Sequence, residues 1–191
     1  MSTPATEATG LAAAAGTWAI DTAHTNLGFS ARHAMVAKVR GSFSDFAGTF
    51  TIDASDVSAS SAELTIQTAS IETKNADRDA HLKSADFLDV EKFPTITFTS
   101  TAVRADGDDI VMTGDLTVHG VTRSVDITWE LTGVSQDPWG NTKVGFEGSA
   151  KISRKEFDLT WNAALETGGV LVGEKIEIEI DVEAVKDKAA A

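Results

Sequence analysis

From Lys175 to Ala184 the side chains alternate without a break. Ile176, Ile178, Ile180, Val182 and Ala184 interleave with Lys175, Glu177, Glu179, Asp181 and Glu183. Successive side chains leave a strand on opposite faces, so this segment forms a strand with one dry and one wet side. The same period recurs in Val121, Arg123, Val125, Ile127, Trp129 and Leu131, where only Arg123 breaks the apolar row. An arginine in phase with apolar neighbours must be paired inside, reach a mouth or mark a strand end.

Further alternating rows are Phe46, Gly48, Phe50, Ile52; Ala62, Leu64, Ile66; Ile96, Phe98, Ser100, Ala102; Ile110, Met112, Gly114, Leu116, Val118; and Val144, Phe146, Gly148, Ala150, Ile152. With the first strand region the chain has about eight such segments. The links Asp106-Gly107-Asp108-Asp109, His119-Gly120 and Asp137-Pro138-Trp139-Gly140-Asn141 carry turn chemistry, so neighbouring strands should run antiparallel. An all-β, roughly eight-stranded antiparallel barrel of lipocalin type removes the sheet edges; a β-sandwich is the competing arrangement. Gly114 and Gly148, inside otherwise bulky inward rows, point to an occupied interior or to bends and close sheet packing.

Two regions leave the pattern. Trp18, Ile20 and Thr22 are out of phase with Leu27, Phe29 and Ala31, which predicts a bulge or bend near Asn26 and Gly28 and puts His24 and His33 on the apolar side. Over Asn75 to Ser84, an Asn N-cap, acidic Asp77 and Asp79, and Ala76, Ala80 and Leu82 predict a short helix across one barrel end.

The formal net charge of -13 opposes phosphate backbones and anionic headgroups, so neither nucleic acid nor stable membrane insertion is expected. With Cys 0, disulfides and thiolate chemistry are excluded. Residues 1–16 carry no basic, long apolar leader and read as a disordered tail on a cytoplasmic protein, with one domain over 17–185 and a second tail at 186–191. An outer-membrane barrel would need apolar residues outward, aromatic girdles and an export signal, and Tyr is 0.

The series Asp21-x-x-His24, His33, Gly41-x-Phe43, Thr73, Arg78-Asp79-x-His81-Leu82, Asp86-Phe87, Phe93-Pro94 and Gly114-x-Leu116-Thr117-x-His119-Gly120-Val121-Thr122 resembles the YceI-like family of polyisoprenoid-binding proteins. The likeness spans Thr17 to Ala184. It implies a lipocalin-like barrel whose elongated lumen takes a polyprenyl, quinone or polyprenyl phosphate, with transport rather than catalysis and no cofactor. Three positions depart from the family pattern: Trp18 replaces a tyrosine, Thr25 follows His24 in place of serine, and Asp158 ends the Arg154-x-x-Phe157 motif in place of glycine.

Candidate ligand contacts follow from the inward rows. Phe29, Phe46, Phe50, Phe98, Trp129 and Phe146 supply aromatic walls, and Ile66, Met112, Gly114, Leu116 and Ile178 complete them; the same residues would equally fill a solid core. Arg78 and Arg154 are candidates for a phosphate or quinone head, or for stapling a helix to the rim. His24 and His33 join them as polar candidates. Metal binding is not expected, because Asp21 and His24 are three apart and would leave a regular strand on opposite faces. His119 is explained by turn chemistry alone. A filled stress-related scaffold and a hydrolase of unrecognised type are the rival functions, the latter lacking any Gly-x-Ser-x-Gly elbow. A homodimer is compatible with these residues.

Overall fold

The structure, a computed structural model, describes residues 10–190. Eleven strands form one antiparallel sheet, in the order β1-β4-β5-β7-β8-β9-β10-β11-β2-β3-β6, with β1 also pairing β11. Six of them are short: β1 (Gly16–Ile20), β2 (Asn26–His33), β3 (Ala37–Phe43), β4 (Phe46–Ile52), β5 (Ser61–Gln67) and β6 (Ile71–Glu72). The other five are β7 (Thr95–Asp106), β8 (Asp109–Val118), β9 (Val121–Gln136), β10 (Thr142–Ser153) and β11 (Val172–Lys186).

The pairings reduce this order to an eight-stranded meander. β2 pairs β3 while β1 pairs β4, and β4 pairs β5 while β3 pairs β6. Each consecutive pair, β1/β2, β3/β4 and β5/β6, is therefore one bent strand. β11 closes the ring by pairing β2 along its first part and β1 at Ala184 to Lys186. Closure joins the two sides of the sheet through β1 and β11, and Ile180, Val182 and Ala184 are buried on its inner face.

The first bend lies a few residues before the expected one, at Asp21 to Thr25. There the Thr25 hydroxyl stands in for a ladder rung: it donates to the Glu183 carbonyl and accepts from the Glu183 amide, both at 3.1 Å. Because the chain turns here, His24 is exposed and leaves the apolar face, whereas His33 keeps the phase of Phe29 and Ala31 but is exposed at the end of β2. In β7 a register shift between Ser100 and Ala102 reverses the phase, leaving Ala102 exposed and burying Val103.

The expected helix forms as α1 (Ala76–Lys83), where Asn75 Oδ1 accepts from the Arg78 amide at 2.9 Å. The β8–β9 turn has φ of 54° at His119 and 72° at Gly120, the two positive values of a type I′ hairpin. Of the two predicted tails, residues 1–9 and 191 lie outside the described residues. Residues 10–13 are helical, Ala14 is fully buried, and its carbonyl accepts from Trp18 Nε1 at 2.8 Å. Lys186 belongs to β11, opposite Trp18. The pairing of Lys186 with Trp18 is long-range packing, which composition does not reveal.

Candidate ligand-binding lumen

An apolar cavity of about 320 Å³ runs inside the barrel. Leu82 and Phe87, contributed by α1 and the segment after it, line it at one end; Ile52, Ala62 and Ile110 line it at the other. Inward side chains such as Phe29, Phe50 and Ile178 are only half-buried, because they face this space rather than one another. A volume near 300 Å³ with apolar walls is the ordinary setting for a small-molecule site.

Of the candidate contacts, Phe29, Phe50, Ile66, Phe98, Met112, Leu116, Trp129, Phe146, Ile178 and Arg154 line the cavity. Phe46 is packed in the core behind it. Gly114 is also behind the wall, since the Phe98 ring occupies the place its side chain would take, and the Trp129 ring does the same at Gly148. The two interior glycines thus make room for aromatic rings of the protein, not for a guest. Sequence reasoning missed Leu82, Phe87, Phe157 and Leu159 as wall residues. The Asp86-Phe87 and Arg154-x-x-Phe157 motifs flanked them, but only the crossing of the barrel end brings them inward.

Both candidate arginines are engaged by the fold. Arg154, 3% exposed, donates from Nε to Gly173 O (2.9 Å), from Nη1 to Leu159 O (2.6 Å) and Trp161 O (2.9 Å), and from Nη2 to Val172 O (3.2 Å). Burial pushes its pKa down, with the Glu174 charge opposing that shift. The guanidinium fork draws together two carbonyls of the segment after β10 and two at the start of β11. Arg78 donates to Thr73 Oγ1 and Thr73 O, both at 2.7 Å, while Asp79 accepts from the same residue's amide at 2.9 Å and hydroxyl at 2.5 Å. Buried Thr73 is therefore gripped from both sides, and α1 is fastened to β6. Arg123 is exposed near the start of β9 and donates to Thr122 O at 3.0 Å.

The bend also overturns the argument that kept Asp21 from His24. His24 Nδ1 stands 3.0 Å from Asp21 Oδ2, and Glu183 joins them within 4.8 Å. Lys143 Nζ lies between the carboxylates, 3.3 Å from Asp21 and 2.5 Å from Glu183, and supplies the positive charge there. The hydrogen bond from His24, with others from the Ala23 amide and Lys143, holds the Asp21 carboxyl below its ordinary range against some desolvation. The pair with Glu183 chiefly, and with Asp21, raises the Lys143 ammonium.

Residues 18–184 match the YceI-like domain. The chain belongs to the YceI-like family. Protein YceI of Salmonella newport (strain SL254) is 41% identical over 165 residues, which are 86% of this chain and 83% of that protein. The crystal structure of the Campylobacter jejuni YceI protein superposes with a TM-score of 0.69 at 31% identity, covering 88% of this chain and 97% of that one. A polyisoprenoid binding domain from Saccharophagus degradans, implicated in plant cell wall breakdown, shares the fold: its TM-score is 0.67 at 14% identity, over 91% and 99% of the two chains. In this YceI-like domain, position 158, where the sequence departs from the family pattern, is left-handed. Asp158 has φ 56° and ψ 22°, the left-handed region that Asp tolerates better than most side chains. Its Trp18, at the tyrosine position, is fully buried.

Proposed function

We propose that this YceI-like domain binds a long isoprenoid lipid in its lumen and carries it without transforming it. The observation that carries the reading is the continuous apolar cavity, lined from both barrel ends. Each buried CH₂ offers about 0.8 kcal/mol of gross driving force, from which ordering and association costs subtract. The engagement of Arg78 and Arg154 by backbone carbonyls favours a neutral head, such as a quinone, over a phosphate. Trp129 lines the cavity with its ring, while its Nε1–H is shielded from that space and has no partner among the described residues.

Equilibrium binding of polyprenols and quinones of increasing length, against a straight-chain fatty acid, tests the proposal. Affinity should rise with isoprenoid length, and the guest should be recovered unchanged. A flat length series would leave the filled scaffold as the better reading. A chemically altered guest would favour an enzyme.

A further inference from the structure

The net charge of -13 predicts repulsion from anionic surfaces, yet the charge is not evenly spread. Between residues 22 and 44 there is no Asp or Glu, while Arg32, Lys38 and Arg40 are basic. This segment is the β2–β3 hairpin. At about 0.15 M salt the Debye length is about 8 Å, so a surface approaching the hairpin tip responds to the charges near it rather than to the whole chain. Lys38 is paired with Glu177, and Glu166 lies on the adjoining loop. Arg32 and Arg40 are exposed and have no carboxylate partner among the described residues.

The tip itself is apolar. Met35 is 64% exposed and Val36 80%, and Val170 on the neighbouring loop is 42% exposed. That loop is tied to the tip by the Ala34 amide, which donates to Leu171 O at 2.8 Å. The turn is closed by the Val36 amide donating to His33 O at 3.1 Å, with φ of 48° at Ala34 and 64° at Met35. A left-handed pair without glycine or asparagine is strained, and methionine is an unfavourable occupant. The fold thus maintains a costly turn whose outcome is two apolar side chains in water. Ala31 and Val172 line the lumen, and Val172 pairs with His33, the last residue of β2 before the turn.

We infer that the β2–β3 hairpin is a docking tip for an anionic lipid bilayer, with Met35 and Val36 entering the interface and Arg32 and Arg40 meeting the headgroups. The inference rests on the lipid-carrying reading, since it supplies the place where such a guest enters or leaves. A few convex apolar residues flanked by arginines suit shallow interfacial insertion. They are too small a patch for a stable protein interface, which takes about 800 Å² from each partner.

Cosedimentation of the full chain with phosphatidylglycerol vesicles, and with phosphatidylcholine vesicles as the control, tests the docking. The wild type should prefer phosphatidylglycerol, and high salt should reduce the preference. Arg32→Gln with Arg40→Gln should weaken that binding about thirtyfold at low salt. Met35→Ser with Val36→Ser should weaken it without changing the thermal midpoint downward, whereas Glu166→Gln should strengthen it. Equal binding to both vesicle types, or unchanged binding by both double variants, would overturn the inference. So would concentration-dependent self-association abolished by Met35→Ser with Val36→Ser, which would assign the tip to a second copy. Polyprenol binding measured without vesicles separates the two readings: if it fails while vesicle docking stands, the carrier reading is lost and the docking tip is not.

Discussion

The indole of Trp129 lies across Gly148, with Cζ3 2.5 Å from where a Cβ on that residue would stand. The two residues face each other across β9 and β10, so the missing side chain on one strand is supplied by the ring of the other. Gly148→Ala should push the indole into the lumen, destabilise the barrel by about 1–3 kcal/mol and shift tryptophan fluorescence. Gly114→Leu should be worse, because the Thr99 carbonyl oxygen, 2.7 Å from where a Cβ would stand, is backbone and cannot swing aside as a ring can. Denaturant titration with intrinsic fluorescence checks both.

Trp129→Phe removes a buried donor that has no partner. Stability should change little or rise, since an orphaned N–H costs about 1–3 kcal/mol. Affinities for a quinone and for a plain hydrocarbon of equal length should change together, because the shielded N–H does not face the guest. Calorimetric titration of the two guests checks this; a loss confined to the quinone would mean that the ring turns its N–H into the lumen.

Arg154→Met leaves four half-buried carbonyls without their shared donor. The expected loss is about 3–5 kcal/mol, comparable to removing one partner of a buried charged network. Arg154→Lys should recover only part of it, because an ammonium cannot reproduce the planar fork. Thermal unfolding of both variants measures the difference.

The Asp21–Lys143–Glu183 cluster predicts the acid and alkaline limbs of stability. Asp21 is held below its ordinary 3.8, so its contribution is complete above that value and is lost as pH falls through the lower folded one. Lys143 is raised above its ordinary 10.5, so its contribution is complete below that value and is lost as pH rises through the higher folded one. Lys143→Met should lower the melting temperature across the window between these limits and flatten both limbs. A pH series of thermal melts, with wild type alongside, reads the change directly.

Asp158→Gly should alter stability by less than about 1 kcal/mol, because relief of the left-handed strain is offset by the greater backbone entropy of glycine in the unfolded chain. Asp158→Val should cost more, since a β-branched side chain is an outlier there. Chemical denaturation of the pair tests this.

Local chemistry made much of the barrel legible from the sequence alone. Strict alternation from Ile176 to Ala184 determines which face is dry, Asn75 starts the helix by capping its own backbone, and His119-Gly120 makes its turn within a few residues. The family motifs extend that reading along the chain and imply the fold without reference to any strand pairing. The barrel's polar details are decided by partners far away in sequence. Asp21 meets Lys143 across 122 positions, and Thr25 replaces a ladder rung opposite Glu183, 158 positions on. Arg154 became a backbone clamp, and the rings of Phe98 and Trp129 closed the spaces at Gly114 and Gly148, only when the strands were in register. Period and capping depend on nearest neighbours along one strand or helix, whereas charge pairing and cavity shape depend on which strands close the ring and on where each one bends.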